Sequence, residues 1–146
     1  MTAARKTLQR PPGAAKSQPA VAVPSRPTAA PWTPDRAEVI WIQHSPAVGN
    51  EIPELHPMLV VSTRAFNEKT GLVIGFPMTH SESHQDNPFA IPIQGPKGKG
   101  YILGHQPKSF DWRVRGAKPH PFGTGYQAHL EEALAVLGQI CGTERK

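Results

Sequence analysis

The chain has 146 residues, room for one ordinary domain. Its formal net charge is +5, but residues 1–34 hold five basic side chains (Arg5, Lys6, Arg10, Lys16, Arg26) and no acid, while the remainder balances eleven basic residues against eleven acidic ones. No stretch approaches the ~20 apolar residues of a membrane span, and the single cysteine, Cys141, has no partner for an internal disulfide, so a cytoplasmic setting is expected.

Residues 1–34 carry seven of the 17 prolines and eight alanines, with Trp32 as their only aromatic. Such a segment buries too little apolar area to offset the entropy of ordering it, so it is expected to be a disordered basic tail. Its longest apolar run, Ala20–Val23, is too short for a secretory signal. Residues 35–146 are the expected domain, small enough to gain from pairing with a second copy.

In the body, Glu38–Gln43 is β-branched and aromatic and reads as a strand. His44–Pro57, with Pro46, Gly49, Asn50 and Pro53, reads as a loop. Met58–Thr63 is a continuous apolar run, expected as a buried strand. Asn67–Gly71 has turn chemistry, with Gly71 available for a positive φ. Leu72–Met78 is the third expected strand, Thr79–Pro88 a polar loop, and Phe89–Ile93 a short strand whose Pro92 belongs at an edge or bulge. Gly95–Gly100 is a flexible turn and Tyr101–His105 a fifth strand. Leu130, Leu134, Leu137 and Cys141 then recur at helical spacing over about four turns, with Thr124 and Gln127 matching a capping box. Short strands followed by one helix imply a small, strongly bent antiparallel sheet or barrel with a helix packed on it.

The body's charge is polarised. Residues 35–96 net −4, residues 97–118 net +5 and residues 119–146 net −1. The basic stretch also holds Tyr101, Phe110 and Trp112; cations suit a phosphate backbone and aromatic rings suit unpaired bases, although the same residues also suit a solvated strand pair with core aromatics. Histidines at positions 44, 56, 80, 84 and 105 fall in loops or at strand ends, where a pair could supply one general base and one general acid. His80 and His84 have no helical framework for a metal, and no metal is expected. There is no Walker loop, GxSxG elbow, HExxH or paired CxxC.

Four segments, in order, resemble the MazF/PemK family of toxin endoribonucleases. They are Glu38-Val-Ile-Trp-Ile; Ser45-Pro-Ala-Val-Gly-Asn-Glu51 with His56-Pro-Met-Leu-Val-Val-Ser62; Asn67-Glu-Lys-Thr-Gly71 through Phe76-Pro-Met-Thr79; and Gln106-Pro-Lys-Ser-Phe-Asp-Trp-Arg-Val-Arg-Gly-Ala117. The resemblance spans roughly residues 37–141. It implies a mainly β fold, an SH3-like small antiparallel β-barrel with a C-terminal helix, acting as a homodimer. It implies cofactor-free, metal-independent cleavage of single-stranded RNA by 2′-OH attack, giving 2′,3′-cyclic phosphate and 5′-OH ends. It also implies a cognate antitoxin with an acidic disordered segment, DNA being met only indirectly through the antitoxin complex.

Thr79 matches the family's catalytic threonine. The family's arginine is replaced by His56, and the acidic residue that some members carry before the Gln-Pro pair is replaced by His105. We therefore expect His56 and His105 to share the acid/base work, Lys108 and Arg113 to supply the lost positive charge, and Thr79 to hold the phosphate. Glu51, His80, Gln106, Lys108, Asp111, Arg113 and Arg115 are the expected RNA contacts, with Asp111 also fixing the turn between Ser109 and Trp112. Trp41 is expected in the core and Trp112 at an interface. The alternatives are a non-catalytic protein of this fold that inhibits a topoisomerase-like partner, or one that only binds RNA or antitoxin.

Overall fold

A computed structural model of the protein describes residues 31–95 and 97–143. The expected basic tail lies, but for residues 31–34, outside the described residues. The fold below is that of the compact unit that begins at Thr33.

The strands are β1 (Val39–Gln43), β2 (Leu55–Val60), β3 (Leu72–Thr79), β4 (Ala90–Gly95), β5 (Gly98–Leu103), β6 (Lys108–Asp111) and β7 (Lys118–Pro119). The helices are α1 (Arg64–Thr70) and α2 (Gln127–Cys141). All pairings are antiparallel, in the order β4-β5-β3-β2-β1-β7, with β6 also on β3. Strand β3 organises the sheet. Leu72–Gly75 pairs with β6, Gly75–Pro77 with β2, and Met78–Thr79 with β5. One strand serving three partners along its length requires a strongly bent sheet. This is the expected mainly β, barrel-like fold with a C-terminal helix, its sheet left open between β4 and β7.

The core joins Val39, Leu59, Phe76, Met78, Ile91 and Ile102 from the strands to Leu130 and Ala133 of α2. Gly75 is required where β2 crosses β3, because a Cβ there would lie 2.5 Å from the Leu59 carbonyl oxygen and 2.8 Å from the Met58 sulfur. Pro92 falls on the edge strand β4, as its missing N–H demands.

Four local expectations are corrected. Asn67–Gly71 is not a simple turn but the second half of α1, capped by the Thr63 hydroxyl accepting from the Phe66 N–H at 3.3 Å and closed by Gly71 at φ 76°. Its inward residue is Asn67, fully buried, whose amide donates to the Pro34 and Ser62 carbonyls at 2.8 and 3.3 Å. The capping box at α2 does not form: the N-cap is Tyr126 without a side-chain cap bond, and the Gln127 amide donates to Glu131 at 3.0 Å instead. Cys141 is exposed, so the buried face of α2 ends with Leu137. Trp112 is buried within the chain, its indole N–H donating to the Asn67 carbonyl at 2.8 Å.

Candidate active site

The register of β2 on β3 pairs Met58 with Pro77. The ladder ends there: two residues further along each strand stand His56, paired with Ile42 of β1, and Thr79, paired with Tyr101 of β5, the two positions that the sequence singles out for chemistry. Both line one cavity of about 460 Å³, together with His80, Ser81, Lys97, His120 and the aromatic rings of Trp41, Phe122 and Tyr126. Among the described residues no acidic side chain lines it. Its cationic and aromatic wall suits a polyanion with flat bases. Trp41, expected in the core, is half-buried on this wall, its ring 4.9 Å from that of His120.

Hydrogen bonds fix several protons in this cavity. The Thr79 hydroxyl oxygen accepts from the Ser81 N–H at 3.1 Å, which leaves its own proton to donate. His80 Nδ1 lies 2.9 Å from the Lys99 carbonyl. A carbonyl only accepts, so Nδ1 carries a proton and Nε2 is the exchanging nitrogen. His120 is held the opposite way: its Nδ1 accepts from the Phe122 N–H at 3.1 Å, so Nε2 carries the proton of the neutral ring. Burial lowers its pKa, and the charges of Lys97 and His80 lower it further. His56 contributes a buried Nδ1 with no hydrogen-bond partner.

His105 is not in this cavity. It lines a second one, of about 620 Å³, with Asn50, Glu51, Ser83, His84, Asn87 and Gln106. The loop after Thr79 contributes to both, His80 and Ser81 to the first and Ser83, His84 and Asn87 to the second. The expected sharing of one centre by His56 and His105 is therefore not what the fold brings together. Asn87 Nδ2 lies 3.3 Å from His84 Nδ1 and 3.5 Å from His105 Nε2, an arrangement that suits neutral rings. Burial lowers the His105 pKa, and His84 lowers it further. Among the described residues no group of three or more His, Cys, Asp or Glu side chains is arranged to hold a metal ion.

The other expected contacts have local duties. Gln106 ties down the loop after β1, accepting from the Ile52 N–H and donating to the Asn50 carbonyl, both at 3.2 Å. Arg115 donates to the Gln43 and Ser45 carbonyls at 3.0 Å and lies over the Phe110 ring at 4.0 Å. Lys108 is 4.0 Å from Glu51, whose carboxylate also accepts from the Val48 N–H. Asp111 Oδ1 accepts from the Arg113 and Val114 N–H groups, holding the turn after β6. Arg113 stacks on Trp112 at 4.6 Å.

Sequence reasoning did not place His120 or Lys97 in the site, and it named His44 only as one of five histidines in loops or at strand ends. His44 is 2% exposed and sits behind His56, ring centroids 6.0 Å apart and nearly perpendicular. Its pKa is lowered to about 4, chiefly by burial, against the Ile42 carbonyl bond that raises it; His56, Lys108 and Arg115 lower it further. The signal available was only its place directly after an apolar strand.

Residues 35–140 match the family described as PemK-like, MazF-like toxin of type II toxin–antitoxin system. The endoribonuclease toxin MazF of Escherichia coli K12 is 34% identical over 111 residues, covering 76% of this chain and 96% of that protein. Crystalline MazF from Deinococcus radiodurans superposes with a TM-score of 0.69 at 29% identity, covering 77% of this chain and 99% of the other. A MazE–MazF complex from the same organism matches with a TM-score of 0.61 at 26% identity, covering 77% and 99%.

Proposed function

Because the chain belongs to the PemK-like, MazF-like toxins of type II toxin–antitoxin systems, we propose that it is the toxin of such a pair and an endoribonuclease that cleaves single-stranded RNA without a metal. The relatives named for this activity match nearly end to end. The observation that carries the reading is the cavity that His56 and Thr79 both line, with no acid among its described lining residues. His56 stands where the family resemblance expects arginine, and a histidine can exchange a proton that an arginine holds.

The chemistry follows from these groups. His56 takes the proton of the ribose 2′-OH. The 2′ oxygen forms its bond to phosphorus, and the P–O5′ bond breaks. Thr79 O–H and His120 Nε2–H donate to the non-bridging oxygens as negative charge develops there. Lys97 adds positive charge on the same wall. The departing 5′ oxygen takes its proton from His80 Nε2, whose Nδ1–H bond to Lys99 survives in both protonation states. The products are a 2′,3′-cyclic phosphate and a 5′-OH end. His105, Glu51 and Lys108 contact the RNA away from the scissile phosphate.

The partners are an antitoxin whose acidic disordered segment competes for the same cationic ground, and a second copy of this chain. The setting is the cytoplasm; among the described residues no helix is long and apolar enough to cross a membrane. The test is incubation of end-labelled RNA with the purified chain in EDTA, followed by end analysis. Cyclic phosphate and 5′-OH ends are expected. Intact RNA over an excess of protein would refute the proposal.

A further inference from the structure

Two buried nitrogens near the cavity lack partners. One is Nε2 of His44, the other Nδ1 of His56. A polar atom buried without a bond is costly, and two such atoms on neighbouring rings call for a common explanation. The rest of the geometry supplies it.

His44 Nδ1 lies 3.0 Å from the Ile42 carbonyl oxygen, which can only accept. Nδ1 therefore carries the proton, and Nε2 of the neutral ring presents a lone pair. The ring is enclosed: it packs edge-on against Phe110 at 5.2 Å, and Arg115 lies over the same phenylalanine at 4.0 Å. Lys108 and Arg115 both oppose a further proton on it, and no carboxylate is among the groups acting on it. His44 is thus held as a neutral acceptor with its orientation set by the backbone. The His56 ring faces it nearly at right angles, at 6.0 Å between centroids. As the rings stand, neither nitrogen has a hydrogen-bond partner; the link requires the His56 ring to turn toward His44, and such bonds are often long before substrate binds.

We infer that His44 is a positioning residue for His56: its Nε2 accepts from His56 Nδ1–H, so that the lone pair of His56 Nε2 is presented to the cavity beside Thr79. The chain runs from the Ile42 carbonyl through His44 to His56, each link donating toward the backbone. It orients the base and selects its tautomer, as a buried acceptor behind a catalytic histidine does in other enzymes. His44 itself touches no substrate. The activity arm of this inference rests on the endoribonuclease reading; the tautomer does not.

The experiment is therefore double. Nitrogen-15 spectra of the imidazoles in the full chain at pH 7.5 report which ring nitrogen holds the proton. The expected result is Nδ1–H on both His44 and His56. A His56 found as the Nε2–H tautomer overturns the inference, whether or not the protein cleaves RNA. In His44→Phe, which keeps the packing against Phe110, the His56 signals should shift toward a mixture of tautomers. RNA cleavage should lose tenfold or more in kcat with KM within about twofold. His44→Gln, whose side-chain oxygen can accept, should recover part of the kcat. An unchanged kcat in a folded His44→Phe would overturn the inference. Wild-type protein that leaves RNA intact while showing the expected tautomers and their response to His44→Phe would overturn the nuclease proposal and leave the His44–His56 link standing.

Discussion

Lowering the pH should unfold this protein through His44 before it does so through most of its carboxylates. In the unfolded chain the ring titrates near its ordinary value of 6.5, but in the fold its pKa is lowered to about 4. Between those two values the unfolded state binds a proton that the folded state refuses, so stability falls as pH falls from 6.5 toward 4 and is not lost further below that. At ~1.36 kcal/mol per pH unit the whole interval is worth about 3 kcal/mol. That is a large part of the ~5–15 kcal/mol that holds an ordinary domain together. The cause is mainly enclosure, since the residue is 2% exposed. His105 and His120 are lowered as well and act in the same direction. The assay is urea unfolding of wild type and His44→Phe at fixed protein concentration, in steps from pH 7.5 to 4. Losing the bond to the Ile42 carbonyl should cost the variant about 1 kcal/mol at pH 7.5. Its stability should then decline less steeply, by about 3 kcal/mol over the interval, because the other titrating groups are common to both proteins. Parallel pH slopes would refute the reasoning, since they would mean that His44 is protonated in the fold without penalty.

Thr79→Ala should lower RNA cleavage by about 100-fold and His56→Ala by about 100-fold or more, in single-turnover assays, with binding of an uncleavable deoxy-substituted RNA little changed. Lys97→Glu should weaken RNA binding more than Arg113→Glu, because Lys97 lines the cavity while Arg113 lies on Trp112; titration at two salt concentrations separates the two. Gly75→Ala should cost more than about 2 kcal/mol in thermal or urea unfolding, as backbone rather than a flexible side-chain end stands against the added methyl group. Removal of residues 1–34 should leave RNA cleavage essentially intact, which a truncated chain assayed beside the full one will show.

The strands with β-branched runs were legible because burial on a sheet leaves a compositional trace. Val39–Gln43 and Leu72–Thr79 fall within one residue of where pattern alone puts them. Helix α1 was not legible, because its inward residue is Asn67, and a helix anchored by a buried amide shows no apolar period. Strand β6 was hidden for a related reason. Lys108-Ser-Phe-Asp111 sends only Phe110 fully inward, and one buried residue in four makes no alternation. The capping box at α2 shows the opposite error. Thr124 and Gln127 have the right identities and spacing, but the helix begins at Gln127 with Tyr126 as its N-cap, which places the threonine two residues too early to cap it.

The site divides along the same line. His56 and Thr79 could be found from sequence because the family resemblance fixes their segments, His56 directly before Pro57 and Thr79 two residues after Pro77, and their strands turn out to be paired. His105 could not be assigned to a cavity, since which side of the Thr79–Pro88 loop it faces depends on how that loop folds. The charge tells the same story more sharply. The five-unit excess in residues 97–118 is real as arithmetic, yet the fold scatters it. Lys97 reaches the first cavity, Lys108 stands by Glu51, Arg113 caps Trp112, and Arg115 is pinned to two carbonyls behind His44. A basic stretch thus serves one cavity with a single lysine, while its Arg115 adds only the smallest of the influences that keep His44 neutral, burial being the largest. What makes the cavity receptive to phosphate is less the number of cations than the absence of any carboxylate among its described lining residues, together with donors whose protons the backbone has already assigned. Composition counts charges; it cannot see that Glu51, an acid of the resembling loop, stands beside Lys108 and lines the second cavity.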